Sequence, residues 1–548
     1  MRNLVNASNW LAFNANDKTY YSPNAEVIEQ VKKNPNDQFW LSLYTEFACV
    51  IVDNLSGKIQ LIRDHLGCEP LFYYLTRKQL YFASSLAKLI PVLKQDNVPL
   101  CVNEEELKYM LWIGKMLSQP TAVHEDTLYS GIKRVKPNHV VTILNEIITQ
   151  QQYWDLANHC HETIYYKNEN DYLEHFSELF HEGIKLQIGA ETEIAAECSG
   201  GLDSSSIILA AQRLHKPLTL YTHLDQEYDP KSGRLRESYF VEQLVQKYSF
   251  KHSNVNADNF NLPEAFEMVT NVLAGQLQSI FPLGANIIHT QVAAGNSKIL
   301  LSGFGGDECV SGHAYLPRAI PQWLKQGEYQ KAWHEYHQHY AVNNLPKPSI
   351  LAQVKFWLRT QLPDLGEKLA LQRYLQRKHN FAKQGFTLPD YAAQASSVAE
   401  FEIRQLIGID NNHPSYRIED SSLIARHYGF KYKYPLLYPK LVEFCNRLPL
   451  HMKRENGLAR IMIRRYLAAS GMPEFGLKPI AKFDGSIMGS SVSKMKATYQ
   501  NDFKNQLSLT MPYAEIQAHI LNLEPHLNDN LKLYHDLALL SLNQYLAK

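Results

Sequence analysis

The first part of the chain, residues 1 to about 156, consists of short apolar runs separated by polar turns. The clearest runs are residues 47–52, 71–74, 80–83 and 139–143. Runs of this length, bounded by turn signals such as residues 53–57, are typical of β-strands. The pattern predicts a layered antiparallel β domain with a few helices. A polar stretch at residues 158–170 predicts a boundary, which places this domain at residues 1–157.

The second part, residues 170–548, has long helical patterns that alternate with apolar strands such as Leu218–Tyr221 and Lys298–Leu301. This alternation predicts a parallel sheet covered by helices, so the chain combines α/β and α+β architecture. Open sheets of this kind bind ligands at the carboxyl ends of their strands. A stretch at residues 345–385 has a basic bias. It is either an insertion that contacts substrate or a partner, or a solvated helical face.

A glycine turn between a predicted strand and a predicted helix is the most informative local motif. The residues that we expect to bind a nucleotide here are Ser199, Gly200, Gly201, Asp203, Ser204 and Ser205. A turn that enters a helix points backbone N–H groups toward an anion, and its glycines permit close approach. No lysine follows the glycines, so the motif is not a Walker-type loop. It predicts a pyrophosphate loop for ATP, with Asp203 as a magnesium ligand.

A second glycine turn follows the apolar strand that ends near Leu301. Its expected nucleotide-binding residues are Ser302, Gly303, Phe304 and Gly305. Asp307 supplies a second carboxylate, and one carboxylate rarely holds a magnesium ion alone. We therefore predict that Asp203 and Asp307 converge on one metal site, and that ATP and Mg²⁺ are the cofactors.

Composition narrows the class of protein but does not identify the substrate. Lysine plus arginine equals aspartate plus glutamate, 55 each, so no overall field favours nucleic acid or an anionic membrane. No apolar stretch is long enough for a membrane span, and no signal peptide is evident. The seven cysteines are odd in number and scattered, which is typical of reduced thiols. We expect a cytoplasmic protein with no nucleic acid partner.

Beyond these motifs, the chain resembles the asparagine-synthetase-like amide ligases over nearly its whole length. Residues 63–74 (RDHLGCEPLFYY) are similar to the signature of that family's glutaminase domain, and Asp203 and Asp307 match its two metal-binding acids. The resemblance implies an N-terminal Ntn-type, glutaminase-like domain. It also implies a C-terminal adenine-nucleotide α-hydrolase-like (PP-loop) synthetase domain.

Several positions depart from the family pattern. A working glutaminase of this family has Cys directly after Met, whereas Arg2 follows Met1 here. The N-terminal domain is therefore expected to be degenerate, without glutaminase activity or its own ammonia. Lys431 stands where asparagine synthetases carry a glutamate, which argues against asparagine synthesis.

The resemblance also suggests catalytic residues. Glu419 lies where β-lactam synthetases place a catalytic glutamate, but Phe304 replaces the tyrosine of their dyad. Glu419 is then expected to act alone or with Tyr416, unless it is a carboxylate on a helix surface. A basic loop near the C-terminus offers Lys482, or failing that Lys478, to stabilise charge on the adenylate.

The implied chemistry is adenylation of a carboxylate, followed by attack of an amine from an organic substrate. We favour a lasso peptide macrolactam cyclase, which joins the N-terminal amine of a precursor peptide to an Asp or Glu side chain. A peptide α-amine has a pKa of about 8, so it needs less help from a base than the amine of a free amino acid. The expected partners are the precursor peptide and a leader-peptide protease or recognition protein. The alternatives are a β-lactam-synthetase-like or asparagine-synthetase-like ligase for a small acid, and a non-catalytic ATP-binding protein.

Overall fold

The computed structural model describes residues 3–7, 10–15, 17–33, 39–107, 125–156, 160, 162–222, 235–255, 262–276, 281–310, 316–342, 345–349, 351–353, 412–477, 480–481 and 545. The N-terminal strands are β1 (Asn3–Asn6), β2 (Leu11–Ala15), β3 (Lys18–Ser22), β4 (Ala48–Asp53), β5 (Ile59–Arg63), β6 (Phe72–Leu75), β7 (Gln79–Ala83), β8 (Ile132–Arg134), β9 (His139–Leu144) and β10 (Ile147–Gln152). Two helices accompany them, α1 (Ala25–Lys33) and α2 (Leu86–Gln95), with a 3₁₀ turn at Phe39–Ser42.

These elements form four layers, helix on sheet on sheet on helix. The strand orders are β10-β9-β5-β4-β3-β2 and β1-β7-β6-β8, and only β1 and β7 pair in parallel. Successive residues of a strand face opposite sides of a sheet. In β4, Val50 accordingly packs between the sheets with Phe82, whereas Ile51 packs beneath α1. The predicted layered β domain is confirmed.

The helix α2 shows how the sequence sets the outer layers. Ser85 is its N-cap residue, and the Ser85 Oγ atom accepts a hydrogen bond from the Lys88 N–H at 3.3 Å. Leu86, Leu89 and Leu93 recur at helical spacing and are buried against the four-stranded sheet.

The C-terminal part is built around one parallel sheet. Its five strands, in the order β14-β12-β11-β15-β16, are β11 (Ile194–Glu197), β12 (Leu218–Thr222), β14 (Lys251–Asn254), β15 (Ile299–Leu301) and β16 (Lys431–Lys433). Short two-stranded pairs are β13 (Leu235–Arg236) with β19 (Ile480–Ala481), and β17 (Arg454–Glu455) with β18 (Leu458–Ala459). The predicted parallel sheet is confirmed.

Helices cover both faces of this sheet. The helices of this part are α3 (Glu169–Ile188), α4 (Leu202–Gln212), α5 (Glu237–Tyr248), α6 (Leu262–Val272), α7 (Phe281–Ala294), α8 (Leu316–Lys325), α9 (Tyr329–Val342), α10 (Asn412–His427), α11 (Pro439–Asn446), α12 (Leu450–Lys453), α13 (Ile461–Ala469) and α14 (Glu474–Leu477). Among them, α8 and α9 pack against each other in a separate cluster. A π-helical turn spans Gly306–Val310 and a 3₁₀ turn spans Pro435–Leu437. In the ranges that the structure describes, no helix is both long and apolar enough to cross a bilayer.

The two faces of the parallel sheet differ in what covers them. Helices α3, α4, α11 and α13 pack on one face. Helices α7 and α10 pack on the other, together with Leu66, Cys68 and Trp154 of the N-terminal domain. The second face is therefore an interface between the two parts of the chain. Apart from residues 345–349 and 351–353, the predicted basic region at 345–385 lies outside the described residues.

Candidate functional site

The pyrophosphate loop predicted at Ser199–Ser205 joins the end of β11 to the start of α4. Gly200 adopts a φ of +76°, a left-handed conformation that favours glycine. The Ser199 hydroxyl accepts a hydrogen bond from the Gly201 N–H at 3.2 Å and lies 3.0 Å from the Ser204 Oγ atom. Gly201, the N-cap residue, has no side chain to cover the first N–H groups of α4. The loop therefore presents a helix N-terminus that suits an anion.

The second glycine loop lies directly against the first. In the sheet register Ala196 pairs with Leu301, so the loops that follow β11 and β15 leave the same edge side by side. A Cβ atom on Gly303 would stand only 2.8 Å from the Ser204 backbone nitrogen, which requires glycine there. The sheet topology thus brings together the two motifs that the sequence predicted separately.

Asp203 and Asp307 meet at one guanidinium group. The Arg460 Nη1 atom lies 2.9 Å from the Asp203 Oδ2 atom, and the Arg460 Nη2 atom forms an ion pair with the Asp307 Oδ1 atom. Arg460 is the N-cap residue of α13 and has left-handed backbone angles, with φ 62° and ψ 42°. Strained residues of this kind persist where the surrounding structure fixes them, often at functional sites.

This arrangement fits a magnesium ion. Magnesium binds carboxylate oxygens and usually keeps ligands from water and substrate phosphates. Both carboxylates contact the guanidinium group of Arg460. Their negative potentials therefore add in the space that this group occupies. Within the described ranges, no group of three or more His, Cys, Asp or Glu side chains is placed to hold a metal. Asp203 and Asp307 would be the two carboxylate ligands of such an ion.

The predicted catalytic Glu419 lies in the interface between the two parts of the chain. Its carboxylate is 2.8 Å from the Arg63 Nη2 atom and 3.0 Å from the Arg134 Nε atom. All three side chains are at most 3% exposed, so the alternative of a helix-surface carboxylate is wrong. Burial, the largest single cause, would lower the pKa of Arg134. Glu419, Tyr416 and Glu106 together outweigh burial and raise that pKa.

Tyr416 belongs to the same buried cluster. The Arg134 guanidinium lies over its ring, 5.0 Å from the centroid. Tyr416 and Glu419 thus lie near each other, as expected, but both contact cations of the N-terminal domain. Their catalytic roles stay predictions, and these contacts give both residues a structural role as well.

Further polar contacts join the two parts of the chain. Arg426 donates two hydrogen bonds to the Glu69 carboxylate, at 2.6 and 2.8 Å. The Lys433 Nζ atom lies 2.5 Å from Glu46, and the Trp154 indole donates to Glu443 at 2.6 Å. The glutaminase-like signature therefore contributes side chains to the interface with the synthetase part.

The described thiols of the first 100 residues are poor nucleophiles. Cys49 and Cys68 are fully buried, and burial raises the pKa of each above its ordinary value. A thiol attacks as the thiolate, so both are structural cysteines.

Two of the predicted residues lie outside the described residues, and two residues of the observed site were not predicted. Lys478 and Lys482 are not described, so the choice between them stays a prediction. Arg460 and Glu197 were not predicted. The signal for Glu197 was present in the sequence, because a carboxylate interrupts the otherwise apolar run at residues 194–198. Arg460 had no local signal.

Models of known protein families match both parts of the chain. The family model described as asparagine synthase matches residues 175–482, and a glutamine amidotransferase domain model matches residues 12–154. The chain is thus a mixed α/β protein with an amidotransferase-like N-terminal domain and an asparagine-synthase C-terminal domain.

Individual relatives are distant. Glutamine-hydrolysing asparagine synthetase 2 of Bacillus subtilis is 23% identical over 310 residues, covering 54% of this chain and 40% of that protein. Asparagine synthetase 3 of the same organism is 25% identical over 298 residues, covering 52% and 46%. Amidase chry2 of Gibberella zeae is 23% identical over 301 residues, covering 53% and 43%. The chain spans less than half the length of these curated relatives.

Proposed function

The chain belongs to the asparagine synthase family, and from this premise we propose that it is an ATP-dependent amide ligase. A substrate carboxylate attacks the α-phosphate of ATP and pyrophosphate leaves. An amine then attacks the acyl-adenylate, the new C–N bond forms, and AMP departs. One observation carries this proposal: two carboxylates from neighbouring strand ends converge on one cation beside the uncapped start of α4.

Each part of this site has a role in the first step. The N–H groups at the start of α4 bind phosphate oxygens, and the close approach of the two glycine loops fixes the direction of the leaving pyrophosphate. Asp203 and Asp307 would hold magnesium, which when bound would neutralise charge on the leaving pyrophosphate. Arg460 forms ion pairs with both carboxylates and is placed to add a further positive charge to the site.

For the substrate we propose a precursor peptide, which the enzyme closes to a lasso-type macrolactam through its N-terminal amine. Two observations support an organic amine rather than ammonia. Cys49 and Cys68 are buried as thiols, and Glu46 and the signature residue Glu69 form ion pairs with cations of the synthetase domain. A ligase for a small-molecule acid is the second candidate, because the relatives named asparagine synthetases match this domain.

Exchange of labelled pyrophosphate into ATP tests the ligase proposal. We expect exchange in the presence of a synthetic precursor peptide that carries a free N-terminal amine and an Asp or Glu side chain. Mass spectrometry should then detect a product that has lost one water. Asp203→Ala should abolish both, and Asp171→Ala, a change at a distant acid in the first turn of α3, should leave both unchanged. Exchange with a small acid but not with the peptide would select the second candidate. Absence of exchange with every acid would refute the ligase.

A further inference from the structure

A carboxylate that the pyrophosphate site does not use lies at the same sheet edge. Glu197 is the last residue of β11, after the fully buried residues Ala195 and Ala196. The Glu197 Oε2 atom accepts a hydrogen bond from the Ser302 hydroxyl at 2.8 Å, and the Oε1 atom accepts one from the Tyr432 hydroxyl. These three residues belong to the ends of three neighbouring parallel strands, β11, β15 and β16.

The position of Glu197 joins it to the nucleotide loops. Ser302 begins the second glycine loop and donates to Glu197, while its neighbour Gly303 packs against the Ser204 nitrogen. The second glycine loop therefore lies between the Glu197 carboxylate and the start of α4. Because ligands of parallel sheets bind at this edge, Glu197 lies where the second substrate approaches the adenylate.

The surroundings of Glu197 suit a group that gains and loses a proton. Burial raises the pKa of Glu197, while hydrogen bonds from Tyr432 and Ser302 and the charge of Arg417 oppose that rise. Arg417 itself stacks on the Phe304 ring, 4.1 Å from the centroid. Burial and the Glu197 charge raise the pKa of Tyr432, so its hydroxyl stays protonated and donates. Paired groups of this kind in a cleft are typical of functional sites.

We infer that Glu197 and Tyr432 form the proton-accepting pair for the incoming amine, an inference that rests on the proposed ligase function. The amine nitrogen attacks the acyl carbon of the adenylate, and the bond from that carbon to the phosphate oxygen breaks. AMP leaves with the electron pair. The surplus proton of the nitrogen passes to the Glu197 carboxylate, directly or through the Tyr432 hydroxyl, which gives its own proton to Glu197 as it receives the other.

Separation of the two half-reactions tests this inference. Glu197→Gln keeps the shape and hydrogen bonding of the side chain but cannot take up a proton. We expect its ATP–pyrophosphate exchange to stay within about threefold of the wild type. Amide formation from the precursor peptide should fall by about 100-fold or more, because general-base catalysis typically contributes about 10²–10⁴-fold. Tyr432→Phe should show a smaller fall with exchange retained.

Two further measurements exclude a merely structural effect. Hydroxylamine is largely unprotonated at neutral pH, so Glu197→Gln should form the hydroxamate at close to the wild-type rate. The acidic limb of the pH profile for amide formation should also disappear in this variant. Glu193→Gln, a change at an exposed residue just before β11, is the matched control and should behave as the wild type.

The outcomes are distinguishable. Wild-type exchange with unimpaired amide formation in Glu197→Gln would overturn the inference and leave the ligase proposal standing. Loss of exchange in both Glu197→Gln and Tyr432→Phe would show that the pair only supports the fold, and would also overturn the inference. Absence of exchange in the wild type would overturn the ligase proposal first and the inference with it.

Discussion

Glu419 allows a test that separates its two roles, catalytic base and structural anchor. The substitution Glu419→Gln removes the negative charge but keeps the size of the side chain. It leaves Arg63 and Arg134, both at most 1% exposed, without the charge that compensates them. Asp420, the next residue, replaces that charge poorly, because burial, the largest cause of its raised pKa, is still present in the variant.

The size of the expected loss in the free energy of unfolding follows from the geometry of the two ion pairs. The two nitrogen–oxygen distances are 2.8 and 3.0 Å, so both pairs are in direct contact. An ion pair at about 4 Å between charge centres is worth about 4 kcal/mol at an effective dielectric constant of about 20. Part of this energy offsets the cost of burying the carboxylate, which Glu419→Gln no longer incurs. Removal of one partner of a buried pair typically costs about 3–5 kcal/mol, and we expect a loss of that size in the free energy of unfolding.

Urea unfolding monitored by tryptophan fluorescence measures this loss. Trp154 is buried in the same interface, so its emission reports separation of the two parts of the chain. Glu182→Gln is the matched control, because its pair with Lys440 is exposed and should contribute less than about 1 kcal/mol. If Glu419→Gln were as stable as this control and yet lost amide formation, the anchoring argument would be refuted and Glu419 would act as the base.

Two further changes test the charges of the site and the buried core. In Arg460→Gln, Asp203 and Asp307 lose the cation that competes with a metal ion, so the variant should bind Mn²⁺ about tenfold more tightly than the wild type in the absence of nucleotide. Titration followed by electron paramagnetic resonance measures this affinity, and unchanged or weaker binding would contradict the prediction. Burial lowers the pKa of His289 to about 3, so this side chain stays neutral in the folded protein. In the unfolded chain this histidine binds a proton below about pH 6.5. The free energy of unfolding should therefore decrease as the pH is lowered from about 6.5 to 3, by at most about 1.4 kcal/mol per pH unit. His289→Phe should remove this part of the slope in unfolding experiments at pH 7 and pH 5, and an identical slope would show the assignment wrong.

The positions of the two glycine loops were predictable because their signals are local. A strand, a glycine turn and a helix start occupy consecutive residues, and a parallel sheet places all carboxyl ends at one edge. The prediction that Asp203 and Asp307 come together needed only that β11 and β15 be neighbours, which they are.

The cations of the site were not predictable in the same way. Arg460 contacts Asp203 across 257 positions of sequence, and Arg134 contacts Glu419 across 285. No local pattern encodes such a pair. A charged residue on a helix ordinarily faces solvent, so the polar residues of α10 indicated a surface. They are buried because α10 packs between the parallel sheet and the N-terminal domain.

The helix α10 gives the N-terminal domain a role in the synthetase site that does not need glutamine hydrolysis. Arg63 and Arg134 hold Glu419 on this helix, and two residues earlier Arg417 stacks on Phe304 of the second glycine loop. The interface therefore fixes the distance between the buried anchor and the loop that approaches the nucleotide. Since the cationic end of Arg417 also acts on Glu197, a shift of α10 would disturb the amine step more than the pyrophosphate loop. These contacts connect the glutaminase-like domain to the second glycine loop through α10.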